Sequence, residues 1–135
     1  MNVGIVIVAH EPMASALYSC SCHVLRAQQG VLIYDVAAEN DPAVSQAAVA
    51  DLIHQADVGA GVLVLTDILG ATPANVATRA ALSARAEGHE VTLLAGANTP
   101  MLLRALTYRA LALDEVARRA MAGARDAVLL VDGNG

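Results

Sequence analysis

The chain has 135 residues, more than half of them apolar, and a formal charge of −5 in which every basic side chain is Arg. That length fits one domain over residues 1–135 with room for a proper core, which Ala, Val and Leu must fill because Trp and Phe are missing. An acidic chain without a basic patch or an aromatic platform argues against nucleic-acid binding, and no apolar run approaches the roughly 20 residues of a membrane span.

The opening run Val3 to Ala9 is continuous, β-branched and apolar, and predicts a strand buried on both faces that delivers His10 to its end. No basic residue precedes it and it stops on His10-Glu11-Pro12, so it does not read as a signal peptide, and a cytoplasmic protein is expected. From Pro12 to Gln28 the apolar residues Met13, Ala16, Leu17, Cys20, Val24 and Leu25 keep a helical period, with Gly30 as the stop. Cys20 and Cys22 would point about 200° apart on that helix. They are expected as reduced, buried or half-buried thiols and not as metal ligands.

Val31 to Val36 reads as a second strand. Asp41 then caps a helix opened by Pro42 and running to about Ala56, with Val44, Ala48, Leu52 and Ile53 on its inner stripe. Val62 to Thr66 is a third buried strand ending at Asp67. After the loop Ile68 to Ala71, Thr72-Pro73 starts a helix to about Ala86 in the same cap-then-proline manner. Val91 to Ala95 is strand four, Gly96 to Asn98 its exit, and Thr99-Pro100 caps a helix through Tyr108. Asp114 caps a last helix to about Ala122, and Ala127 to Val131 reads as a final strand whose direction and partner the pattern leaves open. This alternation predicts an α/β, doubly wound and mostly parallel sheet with helices on both faces.

Three strand exits carry distinctive residues: His10, Asp67 and Asn98. With the strand order 2-1-3-4, strands one and three are neighbours at the point where the winding reverses, and ligands bind in such crevices. His10 and Asp67 would face each other there. A neutral imidazole is abundant near pH 7. A carboxylate that accepts the proton of one ring nitrogen leaves the other free to attack. Helix N-termini near Pro12 and Thr72, with the Thr72 hydroxyl, favour phosphorus as the target. Read alone, each of these residues also fits a structural role, and His23, His54 and His89 are read as structural, without partners. Two other functions stay open on the residues: a receiver-like regulatory module phosphorylated on Asp67, for which Glu11 is the only nearby acid, or a non-catalytic flavodoxin-like binding module.

Three stretches in order, Gly4 to His10, Asp67-Ile68-Leu69-Gly70-Ala71-Thr72-Pro73-Ala74-Asn75, and Gly96 to Leu102, resemble the IIA component (EIIA) of mannose-family phosphotransferase systems over nearly the whole chain. The resemblance implies that His10 accepts phosphate from phospho-HPr and passes it to a IIB component or a regulatory partner, through a phosphohistidine. Asp67 would orient the ring, and Gly70, Ala71 and Thr72 would hold the phosphoryl oxygens; no metal or cofactor is implied. It further implies a homodimer in which an antiparallel last strand, here Ala127 to Val131, is exchanged between subunits. The chain departs from its relatives at Glu11 and Ala71, where glycine is frequent, and at Ile68, where a hydroxyl-bearing residue is frequent. A carboxylate at Glu11 would repel a nearby dianionic phosphate. Whether the phosphate feeds a sugar permease or reports to a regulator is not written in the residues.

Overall fold

The opening apolar run becomes the centre of the sheet. In the computed structural model, which describes residues 1–133, Gly4–His10 (β1) lies between Val31–Val36 (β2) and Val62–Thr66 (β3), and Val91–Ala95 (β4) extends the sheet beyond β3. The order is β2-β1-β3-β4 with every pair parallel, as the sequence predicts. Side-chain alternation along β1 divides the core in two. Ile5, Ile7 and Ala9, with Leu63 and Leu65 of β3, pack against the helices Met13–Ser21 (α1), Thr99–Tyr108 (α4) and Leu113–Asp126 (α5). Val6, Val8, Val62 and Val64 face the other way, onto Pro42–Ala56 (α2) and Thr72–Ala86 (α3). Each fully buried Val, Leu or Ile contributes about 1.5–3 kcal/mol.

Without large aromatics, the layers close by approaching each other. Ala77, Ala80, Ala81 and Ala84 line the inner face of α3. At Gly4 a Cβ would lie 2.2 Å from the Ala56 carbonyl oxygen, so the end of α2 sits where no side chain fits. Arg109 is buried behind the start of β1. Its guanidinium donates to the carbonyls of Val3, Gln29 and Gly30 and to Gln28 Oε1, binding β1 to the approach to β2. Burial pushes its pKa down, an effect that Tyr18 opposes.

Several elements differ from the sequence expectation, each for a local reason. α1 stops at Ser21 and not near Gln28. The buried Ser21 hydroxyl donates to Tyr18 O and its carbonyl accepts from Val24 and Leu25, which tightens the chain out of the helix. Cys20, within α1, and Cys22, just after it, are both exposed, contrary to expectation. The buried stripe of α2 is Ser45, Val49, Ile53 and Ala56, so that Val44 faces solvent; Ser45 tolerates burial because its hydroxyl bonds to Tyr34 at 3.0 Å. α3 and α4 each begin one residue earlier than expected, with Ala71 and Asn98 at the N-cap positions, and α5 follows Ala112 and reaches Asp126. The fifth strand is not formed. Residues 127–131 leave α5 without pairing to any strand of the sheet, and Val128 to Val131 are 75–91% exposed.

Candidate active site

β1 is buried as far as Ala9, and the chain surfaces at the next residue, so the His10 side chain is 52% exposed at the carboxyl end of the central strands. β3 pairs with β1 up to Thr66, which places the following residue, Asp67, beside it. Asp67 Oδ2 lies 2.7 Å from His10 Nδ1 and accepts the His10 backbone N–H at 3.1 Å, while Oδ1 accepts from Ile68 N–H at 3.0 Å. Burial raises the carboxyl pKa, but the bonds from the His10 ring, the His10 N–H and the Ile68 N–H outweigh it, and the net effect is a lowered pKa. An ionised carboxylate only accepts, so the ring proton sits on Nδ1 and the lone pair of Nε2 points away from Asp67.

His10 opens into a cleft of about 650 Å³, whose lining includes Glu11, Glu39, Asn40, Thr72 and Pro73. Thr72 lines this cavity together with His10; Gly70 and Ala71 stand in the adjoining loop and do not line it. Gly70 has φ +87°, a conformation that favours glycine, whereas Ala71 has φ −104° and accommodates its methyl without strain. No side chain caps the start of α3.

The other helix expected to offer its N-terminus does not do so. Ala14 N–H and Ser15 N–H both donate to Asp35 Oδ1, at 2.9 and 3.1 Å, and Ser15 Oγ donates to Asp35 Oδ2 at 2.6 Å. A carboxylate from β2 already occupies the positive end of α1, and the turn that follows His10 is anchored by it. Sequence reading passed over Asp35. The available signal was an acid inside an apolar strand, in register with Ala9, one residue before the strand exit. Asn98 is not brought to His10: its Oδ1 accepts from Met101 N–H at 2.9 Å as the cap of α4, and its Nδ2 reaches Ala124 O at 3.4 Å. His54 and His89, expected to lack partners, bond to each other.

A family model described as "PTS system fructose IIA component" matches residues 4–121. Among solved structures, phosphotransferase system component EIIA from Streptococcus agalactiae is 25% identical with a TM-score of 0.84, covering 95% of this chain and 96% of that one. The mannose/sorbose specific IIA subunit of the phosphotransferase system from Enterococcus faecalis is likewise 25% identical, TM-score 0.84, covering 98% and 96%. At 21% identity and TM-score 0.79, the PTS IIA protein associated with the fucose utilization operon from Streptococcus pneumoniae shares the fold over 96% of this chain and 93% of its own. No curated protein matches. Model and fold agree with the three motifs in the sequence: the chain belongs to the EIIA-man family, and it is a phosphotransferase-system IIA component.

Proposed function

We propose that His10 is the phosphoryl carrier, taking phosphate from phospho-HPr and passing it to a IIB component or a regulatory partner. One observation carries this reading: the 2.7 Å contact between His10 Nδ1 and Asp67 Oδ2, on a ring that is half exposed. The lone pair of Nε2 attacks phosphorus, the P–N bond of phospho-HPr breaks, and its electron pair returns to the donor imidazole. Positive charge develops on the His10 ring, and the Asp67 carboxylate stabilises it through the Nδ1 proton. The uncapped first turn of α3 and the Thr72 hydroxyl supply donors for the phosphoryl oxygens, with the Gly70–Ala71 loop setting their approach. Asp67 makes a poorer acceptor than His10, because both its oxygens already accept hydrogen bonds.

The exposed apolar residues Val128 to Val131 favour a homodimer in which this segment adds a strand to the partner's sheet. β4 and β2 are its two edges. Among the described residues no helix is long and apolar enough to cross a membrane, and the proposed donor implies a cytoplasmic protein.

The test is incubation with phosphoenolpyruvate, enzyme I and HPr, followed by mass spectrometry at neutral pH. One phosphoryl group per chain is expected, lost in acid and stable in base. His10→Ala abolishes labelling while its circular dichroism stays native. Labelling of His10→Ala at normal stoichiometry would refute the assignment.

A further inference from the structure

A second histidine–aspartate pair lies at the amino ends of the parallel strands, away from His10, and it continues into another imidazole. His54 is on the last turn of α2, Asp57 follows that helix, and Glu87 and His89 flank Gly88 in the turn between α3 and β4. Asp57 Oδ2 accepts from His89 Nδ1 at 2.7 Å, and its Oδ1 accepts from the N–H groups of Gly59 and Gly61 at 2.8 and 3.2 Å. With three N–H donors converging on it, the Asp57 carboxylate serves as an acceptor, and the His89 ring proton on this side sits on Nδ1. His89 Nε2 then presents a lone pair to His54 Nδ1, 3.0 Å away. One potential ligand atom from each of His54, Glu87 and His89 lies within 4.8 Å of the other two, and no other trio of His, Cys, Asp or Glu among the described residues meets that condition.

We propose that His54, Glu87 and His89 form a binding site for a late first-row divalent metal ion such as Zn²⁺. Two imidazoles and one carboxylate are the donor set such ions take, whereas Mg²⁺ and Ca²⁺ require oxygen ligands. Two nitrogens on a tetrahedral zinc, each about 2.0–2.1 Å from it, stand about 3.3 Å apart. The observed separation therefore has to open by only a few tenths of an ångström. On binding, His54 shifts to its other tautomer, with its ring proton on Nε2, and the metal takes the lone pairs of His54 Nδ1 and His89 Nε2. Asp57 is the carboxylate behind the ligating imidazole that metal sites commonly carry. His54 and Glu87 are exposed, so the ion enters from solvent, and three protein ligands leave a position for water or an outside group.

The competing account is a hydrogen-bonded latch that joins α2 to the α3–β4 turn and holds no ion. Titration of ZnCl2 alone into the purified full chain, followed by calorimetry, distinguishes them. One ion per chain is expected, with Co²⁺ giving visible d–d absorption and Mg²⁺ giving no signal. His54→Gln and His89→Gln each abolish binding, Asp57→Asn weakens it about 10- to 100-fold, and Cys20→Ser with Cys22→Ser retains it. Zinc raises the melting temperature of the wild type above its metal-free value and gives no such rise in His54→Gln, whatever the lost His54–His89 bond does to the metal-free value. No binding by the wild type at micromolar zinc, or stoichiometric binding that survives both histidine substitutions, overturns the proposal. Labelling of His10 is unaffected in every variant, so this result and that of the phosphoryl-carrier reading are independent.

Discussion

Replacing Asp67 separates two things its carboxylate does for His10. Three N–H groups converge on it: the ring Nδ1–H at 2.7 Å and the His10 backbone N–H at 3.1 Å on Oδ2, and the Ile68 N–H at 3.0 Å on Oδ1. In Asp67→Asn the single acceptor oxygen turns to the position where two donors meet, and the NH2 is set against Ile68. The ring tautomer survives; charge assistance and one backbone bond are lost. A hydrogen bond to a charged group contributes about 1.5–3 kcal/mol, against about 0.5–1.5 kcal/mol for a neutral one. The difference, about 1–1.5 kcal/mol, corresponds to transfer slower by roughly five- to tenfold. Asp67→Ala removes every bond and frees the tautomer, for a loss of about 100-fold. Single-turnover transfer from phospho-HPr, quenched in base, measures both. If Asp67→Ala matches the wild type while His10→Ala is inactive, the carboxylate does not steer the ring. If Asp67→Asn is as slow as Asp67→Ala, the argument from tautomer retention is wrong.

Glu11 lines the same cleft as His10, and a close like charge costs roughly 1 kcal/mol in water. Glu11→Gln should therefore raise the phosphorylated fraction several-fold at equilibrium with phospho-HPr, and the gain should shrink at high salt. Arg109→Ala leaves the carbonyls of Val3, Gln29 and Gly30 without their donor, for a loss of about 3 kcal/mol or more in urea unfolding. Arg109→Lys should recover only part of that, because an ammonium cannot reproduce the planar fork. The lowered carboxyl pKa values of Asp57 and Asp67 mean that the unfolded chain binds more protons on acidification. Their contribution is complete above the ordinary carboxylate pKa of about 3.9 and is lost as pH falls through the lowered folded values. Stability followed by denaturant titration should drop across that range, with a shallower slope in the Asp57→Asn, Asp67→Asn double variant.

What the sequence revealed of the fold was whatever is periodic within one element. The unbroken apolar run before His10 can only be a central strand, and the β-α alternation fixed a parallel sheet; together they place Asp67 next to His10. Features that depend on two distant segments were hidden. Asp35 reads as a lone acid in a strand until α1 docks its first turn onto it. Asn98 and Thr99 are both good cap formers before Pro100, and the geometry that let Asn98 reach Met101 N–H decided between them. Ser45 was missing from the expected inner stripe of α2, because the partner that makes its burial tolerable, the Tyr34 hydroxyl, lies 11 residues away. At Ala127 to Val131 the pattern pointed to a strand but held no information on a pairing partner, which the chain's own sheet does not supply, and no strand forms there.

The two histidine–aspartate pairs show why such a pair does not define a chemistry by itself. In both, an aspartate with a lowered pKa sits 2.7 Å from Nδ1, so both imidazoles are held in the same tautomer with Nε2 as the electron-pair donor. What differs is the surroundings of Nε2. At His10 the ring is half exposed and opens into a cleft beside the start of an uncapped helix, which suits an incoming anion. At His89 the nitrogen meets a second imidazole, with a carboxylate close by, which suits a cation. Exchanging the environments therefore exchanges the ligand: introducing a second imidazole beside His10 would convert a nucleophile into a metal ligand, and phosphoryl transfer would become inhibitable by zinc.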